Sequence, residues 1–251
     1  MTEIALSTRG LDKSFGSLVV ARDIAINLPK GGRHALIGPN GAGKTTLINL
    51  MTGMLRPNAG QIFLGDEDIT ALEPQQRVRR GLARTFQINT LFPGLNALEA
   101  VTLAVCERRR LAGEFWRNIA VHHDAIEEAH DILVRLGLGD SCYQITRELP
   151  YGRQRLLEIA LALATKPKVL LLDEPAAGVP PEESGEVFEA VAGLSDDLSL
   201  LFIEHDMHVV FRFATHIIVL VGGAIFTEGT PSEISADPGV REVYLGKRKH
   251  G

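Results

Sequence analysis

Apolar and polar positions alternate near the amino end of the chain. The alternation runs through Ile24, Ile26 and Leu28, and a turn signal with glycine at its centre precedes it at residues 15–17. A period of two residues predicts strands that bury one face, and the turn predicts that they pair antiparallel. The first part of the chain is therefore predicted to form an antiparallel β-sheet.

Three later apolar runs show no alternation. Residues 34–37, 169–172 and 200–203 are apolar almost throughout, a pattern typical of parallel strands covered on both faces. Residues 216–220 and 224–227 flank a glycine pair, which predicts a β-hairpin. These runs predict the α/β fold class with a parallel sheet at its centre.

The middle of the chain has helical spacing instead. Apolar residues recur every three or four positions at Ala125, Ala129 and Leu133, and again at Leu156 and Ile159, as expected for helices that bury one side.

The strands before and after this helical stretch share one parallel pattern, so the simplest organisation is a single domain over residues 1–251. In that organisation residues 1–90 and 167–251 form the core with its antiparallel part. Residues 91–166 form an inserted helical subdomain.

Charge and cysteine content narrow the classes of partner. The chain has 251 residues and a formal net charge of −5, so no basic surface for nucleic acid is expected. The basic runs at residues 108–110 and 247–249 are interpreted as solvated faces or tails.

Cys106 and Cys142 are too few and too far apart for a disulfide framework or a zinc ribbon, and are interpreted as small buried apolar residues.

The chain carries no secretory pattern at its start, and none of its apolar runs approaches the ~18 residues that span a bilayer. We therefore expect a cytoplasmic protein. If it works at a membrane, another protein must hold it there.

A glycine-rich segment follows the apolar run at 34–37. Residues 38–45, here called the phosphate loop, fit the pattern G-x-x-x-x-G-K-S/T between a predicted strand and a predicted helix. Backbone N–H groups in such a loop surround a polyphosphate, the lysine reaches its outer phosphates, and the hydroxyl binds Mg²⁺. The residues predicted to hold the nucleotide here are Gly38, Pro39, Asn40, Gly41, Ala42, Gly43, Lys44, Thr45 and Thr46.

Two carboxylates end the apolar run at 169–172. Asp173 and Glu174 would lie at the carboxyl end of a buried strand, where open α/β sheets bind ligands. We predict that Asp173 belongs to the Mg²⁺ shell together with Thr45, and that Glu174 orients or deprotonates the attacking water.

With these residues in view, the chain resembles the ATP-binding cassette family. Residues 149–155 lie just before the acidic strand, where that family has its signature loop. The resemblance covers nearly the whole chain. It implies a P-loop NTPase core of RecA-like fold, with an amino-terminal antiparallel β subdomain and an inserted α-helical subdomain. It also implies Mg²⁺-dependent ATP hydrolysis.

In the family, two subunits pack head to tail, and the signature loop of one caps the nucleotide held by the other. The residues that would do so in this chain are Tyr151, Gly152, Arg153 and Gln154. The resemblance therefore implies a second ATP-binding subunit, identical or paralogous.

Three further residues match family positions by order and neighbours. Gln87 resembles the glutamine that contacts Mg²⁺ and senses the membrane partner. His205 resembles the histidine that contacts the γ-phosphate, and so joins Glu174 and Lys44 as an expected catalytic residue. Phe15 resembles the aromatic residue that stacks on adenine, with a core or turn phenylalanine as the alternative.

The sequence departs from the family pattern at two places. Pro150 stands where the signature serine usually donates a hydroxyl to the γ-phosphate, which removes a hydrogen bond worth ~1.5–3 kcal/mol. The loop after Glu174 usually ends in aspartate and here ends in Val179 and Pro180. A degenerate ATP-binding module with weak hydrolysis therefore stays open as an alternative.

A transporter motor competes with a soluble translation or DNA-repair ATPase. The interval between Lys44 and Asp173 is too short for a coiled-coil insertion, and the chain holds one cassette without heptad repeats. Both features favour the transporter. The apolar residues 91–95 would then form a docking groove lined by Phe92 for a membrane subunit, or part of the core.

Four segments resemble ATP-binding subunits of bacterial branched-chain amino acid importers: residues 81–87, 173–178, 203–207 and 243–246. The resemblance implies integral membrane permease subunits as partners and, through them, an extracytoplasmic solute-binding protein. It places the chain peripherally at the cytoplasmic face of the inner membrane. Urea, amide or lipopolysaccharide transport stays open, because the chain itself does not read the solute.

Overall fold

The computed structural model of the protein describes residues 3–85, 91–111 and 122–245. The chain divides into two compact units. The first comprises Met1–Leu82, Lys168–Glu174 and Asp196–Gly251, and the second comprises Ala83–Pro167 and Pro175–Ser195.

The strands in chain order are β1 (Ile4–Phe15), β2 (Leu18–Pro29), β3 (Arg33–Ile37), β4 (Ala59–Leu64), β5 (Glu67–Asp68), β6 (Leu82–Arg84), β7 (Val169–Asp173), β8 (Ser199–Ile203), β9 (His216–Val221) and β10 (Ala224–Gly229). The helices are α1 (Lys44–Thr52), α2 (Pro74–Arg80), α3 (Ala97–Arg108), α4 (His123–Arg135), α5 (Tyr151–Leu163), α6 (Pro181–Ala192), α7 (Met207–Phe213), α8 (Pro231–Ala236) and α9 (Pro238–Leu245).

An antiparallel sheet with strand order β2-β1-β4-β5 lies in the first unit. The predicted alternation on β2 is confirmed, since Ile24, Ile26 and Leu28 are buried while their neighbours are not. The register between β1 and β2 shifts next to Thr8. There the Thr8 hydroxyl accepts from the Ile26 N–H and donates to the Ile24 carbonyl, both at 3.0 Å. This hydroxyl supplies hydrogen bonds where the ladder is irregular, so the buried backbone groups stay paired.

A second sheet has the strand order β10-β9-β3-β8-β7-β6, and β6, whose first residue belongs to the first unit, lies at its edge. β3 pairs in parallel with β8 and with β9, and β7 pairs in parallel with β8. Leu36, Leu171 and Leu201 on these strands are fully buried. The three predicted parallel strands are therefore confirmed, as is the hairpin, because β9 and β10 pair antiparallel.

Helix α1 leaves the phosphate loop and packs its apolar side into the core through Leu47, Ile48 and Met51. It ends at Gly53, whose φ of 81° lies in the left-handed region that favours glycine. The carboxyl end of α1 is fixed further by Arg77, which is only 1% exposed. The guanidinium of Arg77 donates four hydrogen bonds of 2.6–2.9 Å to the carbonyls of Leu50, Met51, Thr70 and Leu72.

Arg77 thus bridges the last turn of α1 and the segment before α2. Burial lowers the pKa of its guanidinium. The four hydrogen bonds to backbone carbonyls offset the cost of burying this group. A buried arginine therefore anchors the helix that carries the phosphate loop.

Two histidines face each other at the amino ends of β3 and β9. His34 and His216 are register partners, and their ring centroids lie 4.7 Å apart. His34 is 5% exposed, and burial, together with the nearby His216, lowers its pKa from 6.5 to about 4. This edge of the sheet is opposite to the carboxyl ends of the strands, where the phosphate loop begins.

The second unit is mainly helical, with α3, α4, α5 and α6 described in it. Cys106 and Cys142 are buried in it as free thiols, as predicted. Within the described ranges, no helix combines the length and the apolar character that crossing a bilayer requires.

The interpretation of the basic run at 108–110 as a solvated face is wrong for Arg108, whose side chain is only 19% exposed. Both terminal nitrogens of Arg108 donate to the Glu128 carboxylate, at 2.7 and 2.8 Å. Arg109 donates to the same carboxylate, and Lys166 lies 3.1 Å from it. These cations, led by the Arg108 hydrogen bonds, lower the pKa of Glu128 to about 2. The run at 247–249 lies outside the described residues.

We predict that His34 makes the fold sensitive to acid. The unfolded chain binds a proton at this histidine below about pH 6.5, whereas the folded chain does so only below about pH 4. The contribution of neutral His34 to the free energy of unfolding is therefore fully present above pH 6.5. It falls by about 3 kcal/mol as the pH drops to 4. Urea unfolding of the wild type and of His34→Gln at several pH values measures this slope.

The expected result is a shallower loss of stability in His34→Gln over this pH range. His123→Gln is the control, because His123 is exposed on α4. Equal slopes for the wild type and His34→Gln would contradict the prediction.

Candidate functional site

The phosphate loop connects β3 to α1 and packs closely against two other strands. A Cβ atom added at Gly38 would lie 2.2 Å from the Leu220 carbonyl oxygen, and one added at Gly43 would lie 2.4 Å from the Val20 carbonyl oxygen. Around Gly41, by contrast, nothing lies within 4 Å of an added Cβ. Two of the predicted glycines are therefore required by the packing of the loop itself.

The amino end of α1 has no acidic residue in its first turn and no hydrogen bond from a capping side chain. Three other helices of the chain do carry capping boxes, namely α2, α3 and α8. The N–H groups of the first turn have no acceptor inside a helix, and the helix dipole makes this end positive. The start of α1 is thus suited to hold an anion such as a phosphate group.

Lys44 begins α1 and is buried. Its ammonium donates to the carbonyls of Gly38, at 2.7 Å, and Pro39, at 3.2 Å. Burial lowers its pKa, and the nearby carboxylates of Glu174 and Asp173 act in the opposite direction. The structure thus brings the predicted lysine and the two predicted carboxylates into one electrostatic cluster.

Glu174 directly follows β7 and has a strained backbone. Its φ is +50°, an uncommon value for a residue with a Cβ atom, and its N–H donates to the Ile203 carbonyl at 3.1 Å. Strain of this kind persists only where the surroundings fix the backbone, and it is concentrated at functional sites.

His205 lies beside Glu174. Its Nε2 atom is 2.5 Å from Oε1 of Glu174, and the side chains are 47% and 36% exposed. The next residue, Asp206, caps α7 by accepting from the His208 N–H at 2.8 Å, which fixes the turn on which His205 sits. Both residues were predicted from the sequence as catalytic residues, but the contact between them was not predicted.

The residues predicted to hold Mg²⁺ have suitable donors where they are described. Thr45 is an exposed residue in the first turn of α1 and presents a hydroxyl, and Asp173 presents a carboxylate at the end of β7. Hydroxyl, carboxylate and phosphate oxygens are the ligands that Mg²⁺ prefers. Gln87, the third predicted ligand, lies outside the described residues.

In the second unit, α5 begins at Tyr151 after Pro150 and has no side-chain cap from its own first turn. The N–H of Gly152 donates instead to Oε2 of Glu183 on α6, at 3.3 Å. A Cβ atom at Gly152 would lie 2.7 Å from that oxygen, so the absence of a side chain permits the close approach of a carboxylate to the helix start.

Arg153 and Gln154 complete the predicted signature segment. Both are partly buried, and the side-chain amide of Gln154 donates to the Leu149 carbonyl at 2.9 Å. Arg153 borders a cavity of about 210 Å³ between α5 and α6. The cavity is lined by Pro150, Gly152, Arg153, Leu156, Glu183, Glu186 and Val187.

Sequence reasoning missed a buried ion pair on α5. Arg155 donates to Glu158 at 3.0 Å and, with its other terminal nitrogen, to the Ala177 carbonyl at 3.0 Å. Burial raises the pKa of Glu158 to about 7, although Arg155 acts against this rise. The available signal was a pair of opposite charges three positions apart on α5, and their burial follows from tertiary packing.

Phe15 lies in the first unit at the end of β1. Its side chain is half exposed, and the Lys13 ammonium lies 5.2 Å from its ring centroid. The ring is therefore available for stacking, and its proposed role with adenine stays a prediction.

Two family models match the chain. One, described as "ABC transporter", matches residues 21–177. The other, described as "Branched-chain amino acid ATP-binding cassette transporter", matches residues 225–250. Together they match segments from β2 to the carboxyl end of the chain.

Curated relatives match over nearly the full length. The chain is 36% identical to the high-affinity branched-chain amino acid transport ATP-binding protein LivG of Escherichia coli strain K12, over 98% of this chain and 100% of that protein. Identity and coverage are the same for the corresponding protein BraF of Pseudomonas aeruginosa. The probable LivG protein of Methanocaldococcus jannaschii is 33% identical, over 96% of this chain and 97% of that protein.

Solved structures agree with the described fold. The ADP conformation of MJ1267, an ATP-binding cassette of an ABC transporter, superposes with a TM-score of 0.85 at 33% identity, covering 98% of this chain and 100% of that one. A nucleotide-free ATP-binding cassette superposes with a TM-score of 0.83 at 33% identity, covering 96% and 98% of the two chains. These likenesses confirm the predicted fold class and the predicted family resemblance.

We predict that alanine is tolerated very differently within the phosphate loop. Gly38→Ala is expected to cost several kcal/mol, because its Cβ would meet the backbone carbonyl oxygen of Leu220 at 2.2 Å. Gly41→Ala meets no neighbour but keeps a φ of +80°, so we expect a cost of only about 1–2 kcal/mol. Chemical denaturation of both variants measures the difference, and equal losses would contradict the steric argument.

Proposed function

The chain belongs to the ABC transporter family, and on that premise we propose that it is the ATP-hydrolysing subunit of a branched-chain amino acid importer. The observation that carries this proposal is the identity of 36% to LivG and BraF over 98% of the chain. Because these relatives match over nearly their full length, they support the proposal for the whole chain. The family model that matches residues 225–250 independently indicates the same solute class.

ATP binding is supported by the phosphate loop and the start of α1. The loop carries Lys44, and the first turn of α1 has no side-chain cap or acidic residue. Thr45 and Asp173 would hold Mg²⁺, with Gln87 as a third proposed ligand. When bound, Mg²⁺ neutralises charge on the phosphates and holds them in position.

Hydrolysis is supported by the cluster around Glu174. In the proposed reaction a water attacks the γ-phosphorus, the bond to the β-phosphate oxygen breaks, and Glu174 orients the water or takes its proton. His205, in contact with Glu174, would fix that carboxylate and reach the γ-phosphate. Lys44 supplies positive charge where negative charge develops.

A second ATP-binding subunit would complete the site. The segment from Tyr151 to Gln154 would cap the nucleotide held by the partner, with the Gly152 N–H at the positive end of α5 as the donor. In the structure this N–H already pairs with an anionic group, the Glu183 carboxylate. That contact supports an anion-binding character for the segment.

The membrane partners are proposed from the family and from the surface of the second unit. Phe92 is 55% exposed while Leu91 is buried, so the apolar run at 91–95 divides between surface and core. We place Phe92 at the contact with the integral membrane permeases, at the cytoplasmic face of the inner membrane. The extracytoplasmic solute-binding protein would be reached only through those permeases.

We expect Glu174→Gln to abolish turnover while leaving ATP binding intact, since the amide keeps the shape of the side chain but cannot accept a proton. A loss of at least about 100-fold in kcat is expected for removal of a general base. Steady-state ATPase assays and nucleotide binding, in the presence of the membrane partners, measure both quantities. Glu107→Gln, on the exposed face of α3, serves as the control.

Hydrolysis by the wild type that is no faster than by Glu174→Gln would overturn the proposed activity. It would favour the alternative of a degenerate binding module, which the sequence raised through Pro150 and Pro180.

The solute is tested by uptake in the native host. Deletion of the gene is expected to abolish uptake of radiolabelled leucine, isoleucine and valine. The wild-type gene is expected to restore this uptake and the Glu174→Gln variant is not, because import requires hydrolysis. If the deletion strain keeps leucine uptake but loses uptake of urea, short amides or a lipopolysaccharide precursor, the proposed solute class is wrong. The assignment as an ATPase would be unaffected by that result.

A further inference from the structure

A buried arginine links helix α5 to the loop that follows Glu174. The Arg155 side chain is 10% exposed. One of its terminal nitrogens donates to Oε2 of Glu158 and the other to the Ala177 carbonyl, both at 3.0 Å. Both residues that it contacts lie in the second unit, so this unit contains the entire link.

Within the described part of the chain, the ion pair between Arg155 and Glu158 leaves some of its own hydrogen-bonding atoms without partners. Among the described residues, Arg155 Nε and Glu158 Oε1 are buried and have no hydrogen-bond partner. A buried ion pair is weak evidence for stability, because the cost of removing two charges from water offsets their attraction. The raised pKa of Glu158, for which burial is the larger cause, agrees with that balance. Stability alone therefore does not explain the pair.

A second contact reinforces the link. A Cβ atom at Gly178 would lie 3.0 Å from the Tyr151 hydroxyl, and Gly178 has a φ of +78°, so the Tyr151 ring packs directly on the loop backbone. The Arg155 guanidinium lies 5.5 Å from the centroid of the same ring. Two consecutive loop residues, Ala177 and Gly178, are therefore held by the first two turns of α5.

We propose that Arg155 is a positioning residue for ATP hydrolysis, which holds the loop of residues 175–180 in place, and that Glu158 orients Arg155. The inference rests on the proposed function. The loop begins directly after Glu174, whose φ of +50° requires a backbone fixed by its surroundings. The Ala177 carbonyl that Arg155 holds lies three residues after Glu174 along the chain, so we infer that fixing it limits the paths open to the backbone that leaves Glu174.

Arginine is specifically suited to this position. Its planar guanidinium places donors in a fixed fork that serves two acceptors in different directions, whereas a lysine ammonium is a single point of charge on a flexible stem. Lysine at position 155 would keep the charge beside Glu158 but lose the second, directed hydrogen bond to Ala177.

The chain provides a matched control in Arg108. This arginine also binds a glutamate, Glu128, and also donates to a backbone carbonyl, that of Ala164, at 2.9 Å. It lies in the same unit, with a side chain 19% exposed, but its contacts do not involve the loop at 175–180. Arg108→Lys therefore reproduces the loss of an arginine fork without loosening that loop.

The experiment compares Arg155→Lys with Arg108→Lys in the assembled complex. We expect Arg155→Lys to lower kcat by about 10-fold or more while the KM for ATP changes by less than about twofold, the pattern of a lost transition-state contribution. Hydrogen exchange at the Val179 amide, which donates to the Ala176 carbonyl at 3.1 Å, should become faster. Arg108→Lys should leave both kcat and this exchange rate near those of the wild type.

A double variant, Arg155→Met with Glu158→Met, separates positioning from stability. Apolar replacement of both partners of a buried pair often preserves stability, so we expect a melting temperature near that of the wild type with kcat still low. Recovery of kcat together with the melting temperature, or exchange at Val179 that is unchanged in Arg155→Lys, would overturn the inference. The exchange measurement needs no ATPase activity, so it tests Arg155 even if the wild type proves not to hydrolyse ATP.

Discussion

The close approach of the phosphate loop to the strands beside it is the constraint on which the candidate site depends. Gly38 packs against the Leu220 carbonyl and Gly43 against the Val20 carbonyl, with no room for a Cβ atom at either position. This packing determines where α1 begins and keeps Lys44 buried at its first position. Because Arg77 fixes the other end of α1, the helix is held at both ends.

The charges of the site follow from that placement. A buried ammonium without a counter-charge would be costly, and the two carboxylates at the end of β7 act on Lys44 against the effect of burial. The Asp173 carboxylate is also a ligand of the kind that Mg²⁺ prefers. Glu174 is in turn fixed by its contact with His205 and by its own N–H, which donates to Ile203. The polar groups around the loop thus support one another through hydrogen bonds and opposite charges.

Much of this arrangement was predictable from local sequence. The parallel strands follow from uninterrupted apolar runs, the phosphate loop from its glycine spacing, and the two carboxylates from their place after a buried strand. The contact between Glu174 and His205 was not predictable, because it depends on the pairing of β7 with β8 rather than on any local pattern. The hydrogen bond from Arg155 to the loop at 175–180 was missed for a different reason, because its acceptor is the backbone carbonyl of Ala177, which leaves no mark in the sequence.

The two prolines that depart from the family pattern have a clear structural place. Pro150 and Pro180 directly precede α5 and α6, with φ values of −51° and −52°. Proline adopts such a φ without strain, and no intrahelical N–H is needed before the first turn. Pro150 therefore removes a hydroxyl without disturbing the start of α5, whose Gly152 N–H remains able to bind a carboxylate. The departures reflect a different way of starting two helices, and neither proline belongs to the cluster of Glu174 and Lys44.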